Sequence, residues 1–87
     1  MVRRLAAAMP VVTAELGQRS CAHDFVDRYM RWADGAGVSH LAWARNAWDC
    51  AGGPALIRGD GSPTAYGAGV KAHLAALAAD RASAAAR

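Results

Sequence analysis

Two short β-favouring runs flank one amphipathic helix through short connections, and this order constrains the fold more firmly than any other feature of the chain. The first run, Val11-Val12-Thr13-Ala14 leading into Glu15-Leu16-Gly17, is short, apolar and unalternating. It is expected to be a buried strand with a charged residue at its exit. Ser20 is a good N-cap, and Phe25, Val26, Tyr29, Met30 and Ala33 then recur at helical spacing until Gly35 and Gly37 stop the helix. Val38-Ser39-His40-Leu41-Ala42-Trp43 follows at once as the second strand. Strand, helix, strand in close succession is the βαβ unit of an α/β protein, in which the crossover helix makes the two strands parallel.

Composition limits what can be built on that unit. Of the 87 residues 54% are apolar, but 23 are alanine, which leaves only 24 larger apolar side chains. A core that thin fits one small domain at most. The length excludes a complete (β/α)8 barrel of about 250 residues and a two-domain dinucleotide enzyme. No apolar run approaches the ~20 residues that cross a bilayer, so no membrane partner is expected. Met1-Val2-Arg3-Arg4 followed by Leu5-Ala6-Ala7-Ala8-Met9 imitates a signal peptide, but the apolar stretch stops at Pro10. Residues 1–9 therefore read as the end of a preceding helix or a linker. The net charge of +3 comes mostly from arginines scattered along the chain, without the basic stripe that tracks nucleic-acid phosphates.

Residues 44–63 read as a long loop, with Asn46, Gly52-Gly53-Pro54 and Asp60-Gly61-Ser62-Pro63 as turn signals and Ala55-Leu56-Ile57 as a brief apolar anchor. Loops of that length in compact domains more often carry function. Thr64 is placed to cap a last helix on which Tyr66, Val70, Leu74 and Leu77 share one face. Residues 81–87 have helical propensity but no apolar stripe, and are expected to fray.

Glu15 is the only glutamate, and it stands where a parallel strand ends in a glycine. Catalytic groups of barrels and open α/β sheets are displayed at the carboxyl ends of strands; the bland alternative is a carboxylate paired with an arginine or facing solvent. Trp43 holds the equivalent place on the second strand, with Trp48 in the loop beyond it and Arg45 and Asn46 between. These indoles can stack on the flat face of a sugar or serve as packing, the reading that suits Trp32 on the helix. Arg45 and Asn46 can donate hydrogen bonds to a ligand or simply be solvated. Cys21 and Cys50 permit one intramolecular disulfide, which the residues alone do not require. Cys21, His23, His40 and Cys50 lack a structural zinc spacing, so no metal is expected. His23 and His73 read as helix-surface residues and His40 as structural, and no nucleophile elbow points to a serine or cysteine triad.

Taken together, Pro10-Val11-Val12-Thr13-Ala14-Glu15-Leu16-Gly17, Cys21-Ala22-His23-Asp24-Phe25, Leu41-Ala42-Trp43 with Asn46-Ala47-Trp48-Asp49-Cys50, and Pro63-Thr64-Ala65-Tyr66-Gly67 resemble the C-terminal end of a family 5 glycoside hydrolase, the cellulase family of (β/α)8 TIM barrels. The resemblance runs from about Pro10 to Leu77. It implies an α/β fold made of the last two βα units of such a barrel, over residues 10–80. It makes Glu15 the nucleophile of a retaining enzyme, Trp43 a platform for the sugar beside the scissile bond, and Cys21 with Cys50 a disulfide tying two active-site loops. Arg45 departs from the aromatic residue that many relatives carry there.

A retaining glycosidase needs two carboxyl groups about 5–5.5 Å apart. The acid/base glutamate of the family follows an asparagine on an earlier strand that this chain does not contain, and neither Asp49 nor Asp60 matches that role. The expectation is thus a portion of a secreted, endo-acting hydrolase of β-glucan or cellulose-type polysaccharides, without cofactor. The portion is expected to be inactive alone and to need the missing N-terminal barrel units. The alternative is a small non-catalytic module that binds carbohydrate or protein through Trp43 and Trp48.

Overall fold

The computed structural model describes residues 2–85, in the order α1 (Val2–Ala8), β1 (Val11–Leu16), α2 (Asp24–Ala36), β2 (Val38–Ala42) and α3 (Ala65–Ala85). β1 and β2 form a two-stranded parallel sheet with Val11 opposite Val38 and Thr13 opposite His40. The protein is therefore a small α/β fold built on one βαβ unit. α1 buries no side chain, and Met1, Ala86 and Arg87 lie outside the described residues, including the last two positions of the tail expected to fray. Residues 81–85 of that tail belong to α3. Their alanine-rich sequence has high intrinsic helix propensity.

The helix α2 begins later than Ser20 suggests. Ser20 and Cys21 both take positive φ (64° and 45°) in the turn after β1, and His23 is the N-cap but makes no side-chain cap bond. Gln18 takes over the capping. Its Oε1 accepts from the Val26 N–H at 3.1 Å while its Nε2 donates to Asp24 at 3.0 Å, and Asp24 and Asp27 in the first turn complement the helix dipole. The other end follows the sequence closely: Gly37, left-handed at φ 73°, donates back to the carbonyls of Ala33 and Asp34. At α3, Thr64 caps as expected. Its hydroxyl accepts from the Gly67 N–H at 3.1 Å and donates to the Ala55 carbonyl at 2.6 Å.

Val26 and Met30 of α2 pack with Leu16, Cys21, Ala55, Tyr66 and Val70 into one small core between the sheet and the helices, and Ala33 and Val38 are buried as well. The helix pair closes so tightly on the returning loop that a Cβ at Gly67 would sit 1.9 Å from the Leu56 carbonyl oxygen. Only glycine fits there. The outcome for β1 differs from the buried strand its composition suggests. Along β2, Val38 is buried and Ser39 and Leu41 are exposed; Val12 on β1 is 56% exposed and Leu41 59%. Helices cover one face of the sheet, and among the described residues nothing covers the other.

Candidate functional site

Because β1 and β2 are parallel, both carboxyl ends leave the sheet at one edge, and the two residues singled out there meet. Glu15 and Trp43 line a single open depression of about 400 Å³, together with Gly17, Gln18, Arg19 and Pro54. A register irregularity places the glutamate. Pairing moves from Thr13 opposite His40 to Leu16 opposite Ala42, so Ala14 and Glu15 together face Leu41 as a β-bulge. Bulges re-aim side chains at strand ends and recur beside active sites. Alternating polarity alone carries no sign of an extra residue, so the sequence did not announce it.

The rim is held from beneath by Tyr66, whose wholly buried hydroxyl lies 2.7 Å from the Leu16 carbonyl and 2.8 Å from the Trp43 carbonyl. Burial pushes its phenol up from the ordinary value, against a smaller downward effect of the hydrogen bond to Trp43. Leu16 O also accepts from the Trp43 N–H at 2.8 Å, and the Trp43–Ala44 peptide is cis. A Cβ at Gly17 would lie 3.0 Å from the Trp43 carbonyl and 3.1 Å from Pro54, a tight fit at the floor of the depression. A Cys21–Cys50 disulfide ties the turn after β1 to the loop after β2. Tyr66 was legible only as one apolar position on a helix face; its second role lies in contacts 50 and 23 residues distant.

The remaining expected site residues are placed around this depression. Trp48 sits with its ring 6.5 Å from that of Trp43, packs over Gly53, and lines a separate cavity of about 470 Å³ with Cys21, Cys50 and Thr64. Arg45 lines an apolar groove with Leu56, Val70 and Leu74, and the exposed Asn46 is held through its backbone N–H to the Ala44 carbonyl. Asp49 accepts from the Gly52 N–H and Asp60 from the Ser62 N–H and hydroxyl, so both carboxylates serve loop turns. Among the described residues, Glu15 is the only carboxylate lining the Trp43 depression.

The histidines sort differently from their sequence reading. His23 donates to Asp27 at 2.7 Å on α2, while His40 and His73 converge on Asp34, at 3.0 and 2.6 Å, from β2 and α3. Partial burial pushes the Asp34 carboxyl up, but the hydrogen bonds and charge of the two histidines outweigh it and leave the group below its ordinary value. At the Glu15 edge, an exposed indole beside a carboxylate offers a platform for an apolar ring face and one nucleophile or base. Compared with protein families, curated proteins and solved structures, the chain matches none.

Proposed function

We propose that the chain is the last two βα units of a (β/α)8 retaining glycoside hydrolase acting on β-glucan or cellulose-type polysaccharides. On this reading Glu15 supplies the nucleophile and Trp43 the sugar platform. The observation that carries it is the meeting of Glu15 and Trp43 in one depression at the carboxyl edge of a parallel strand pair. The disulfide between the two loops and the uncovered sheet face fit the same reading, and a disulfide suits a protein outside the reducing cytosol. A second carboxyl group must come from barrel units beyond these residues, because hydrolysis with retention needs an acid about 5–5.5 Å from the nucleophile.

The 87-residue chain alone is accordingly expected to release no reducing sugar from a soluble cellulose derivative, since loss of acid catalysis alone costs about 10²–10⁴-fold. Hydrolysis that Glu15→Gln abolishes overturns the claim that the acid lies elsewhere. A second reading, a non-catalytic module, is favoured by the adjacency of two exposed indoles, Trp43 and Trp48. Saturable quenching of tryptophan fluorescence by cello-oligosaccharides, lost in Trp43→Ala and retained in Glu15→Gln, selects that module.

A further inference from the structure

Away from the Glu15 depression, three ligand-bearing side chains from three elements meet at one point. Asp34 stands in the last turn of α2, His40 in the middle of β2 and His73 within α3. His40 Nε2 lies 3.0 Å from Asp34 Oδ1 and His73 Nε2 2.6 Å from Asp34 Oδ2, and the two imidazoles meet edge to face at 5.8 Å. Their side chains are only 7% and 17% exposed. Convergence of separate elements is what distinguishes this group from the His23–Asp27 pair, which is a neighbouring i, i+4 contact on one helix.

We propose that Asp34, His40 and His73 form a binding site for a divalent transition-metal ion, with zinc the best match. Two imidazole nitrogens and one carboxylate suit zinc, cobalt or nickel, whereas magnesium and calcium prefer oxygen donors throughout. The geometry is close to what such an ion needs. A tetrahedral ion with donors at about 2.0–2.1 Å separates neighbouring donor atoms by about 3.3 Å. One donor atom from each of the three residues already lies within 4.8 Å of the other two, so the cluster tightens around an ion rather than rearranging.

Each imidazole would coordinate through Nε2 and carry its proton on Nδ1, so the ion replaces the two N–H···O bonds that now join the histidines to Asp34. Asp34 and His40 themselves line a depression of about 490 Å³ with Ser39, Leu74 and Arg81, through which water or a small ligand can reach the cluster. The site is thus of the open kind, with three protein ligands. It stands independently of the Glu15 reading and shares no residue with it.

The test uses tag-free protein and zinc chloride, read by ¹⁵N–¹H long-range spectra of its three histidines. One equivalent of zinc is expected to move the Nε2 resonances of His40 and His73 and leave those of His23 in place. A cobalt(II) titration followed by visible absorption gives the affinity. His73→Ala should lower it by more than the roughly 10–100-fold that outer-shell changes cost, while His23→Ala leaves it unchanged. Failure of His40 and His73 to respond, or an equal loss in the His23 and His73 variants, overturns the site. Because the spectra are taken on the unaltered chain, a variant that fails to fold does not blunt the test.

Discussion

Removing one oxygen atom tests how the candidate rim is held. Tyr66→Phe keeps the packing of a side chain with no exposure and deletes a hydroxyl lying 2.7 Å from Leu16 O and 2.8 Å from Trp43 O. That hydroxyl has one proton, so the two carbonyls share it. Their fates differ in the variant. Leu16 O still accepts from the Trp43 N–H at 2.8 Å, whereas Trp43 O gives up its bond to the phenol. Losing the bond and stranding a partly buried acceptor costs about 1–3 kcal/mol. In a chain of 87 residues each 1 kcal/mol lowers Tm by roughly 4–8 °C, so a fall of roughly 4–24 °C is expected. Urea and thermal unfolding followed by far-UV circular dichroism measure it. Tyr29→Phe is the internal control, because its hydroxyl meets Thr13 Oγ1 at 2.5 Å at a partly exposed position where water can replace the lost bond. If Tyr66→Phe costs no more than Tyr29→Phe, the phenol does not hold the strand ends and the account of the rim fails.

The Cys21–Cys50 bridge, with its partners 29 residues apart, contributes roughly 3–4 kcal/mol by loop-closure entropy, against roughly 4–13 kcal/mol for the whole stability of a chain this long. Dithiothreitol, or Cys21→Ser with Cys50→Ser, should therefore move the urea midpoint down by a quarter or more, and an unmoved midpoint contradicts it. Asp34 sets an acid limb. Its folded pKa lies below the unfolded value of 3.8, so the unfolded chain binds the extra proton, and the stabilisation is present above that value and lost as pH falls through the folded one. Asp34→Asn should lower Tm at pH 6 and converge with the unaltered chain toward pH 2; a gap that stays constant with pH refutes the assignment.

The βαβ order, the parallel pairing, the end of α2 and the start of α3 were legible because each rests on local chemistry: β-favouring runs, a helical stripe, Gly37 in the left-handed region and a threonine hydroxyl at Thr64. What escaped was set by contacts between distant residues. Gln18 caps α2 from eight residues upstream of Val26, displacing Ser20, and no spacing rule places a glutamine there. The bulge that sets Glu15 needs the partner strand's register. His40 and His73 read as unrelated surface and strand residues until the fold brought both to Asp34. Trp48 and Arg45, within five residues of Trp43 in the chain, leave its depression because the loop folds back, with the Ala44 N–H donating to Pro54 O and the Leu56 N–H to Ala44 O.

The uncovered surfaces of the fold have a common direction. Val12 and Leu41 expose apolar side chains on one face of the sheet, and each strand has one hydrogen-bonding edge that β1–β2 pairing does not use. A parallel pair open on one face is uncommon, because sheets of this kind are normally buried on both faces. On α2, Phe25, Tyr29 and Trp32 form an aromatic row with ring centroids 6.3 and 5.6 Å apart, and Phe25 is 48% exposed. Within the proposed barrel these features acquire separate neighbours: further strands on the two edges, interior side chains over Val12 and Leu41, and the preceding helix against the aromatic row. A free-standing module must leave the same groups in water. An unpaired parallel edge beside exposed valine and leucine is an aggregation hazard that independent folds blunt with charge, proline or a bulge. Among the described residues such a bulge occurs only at Glu15, where it serves the candidate site, and that asymmetry favours the barrel portion over the module.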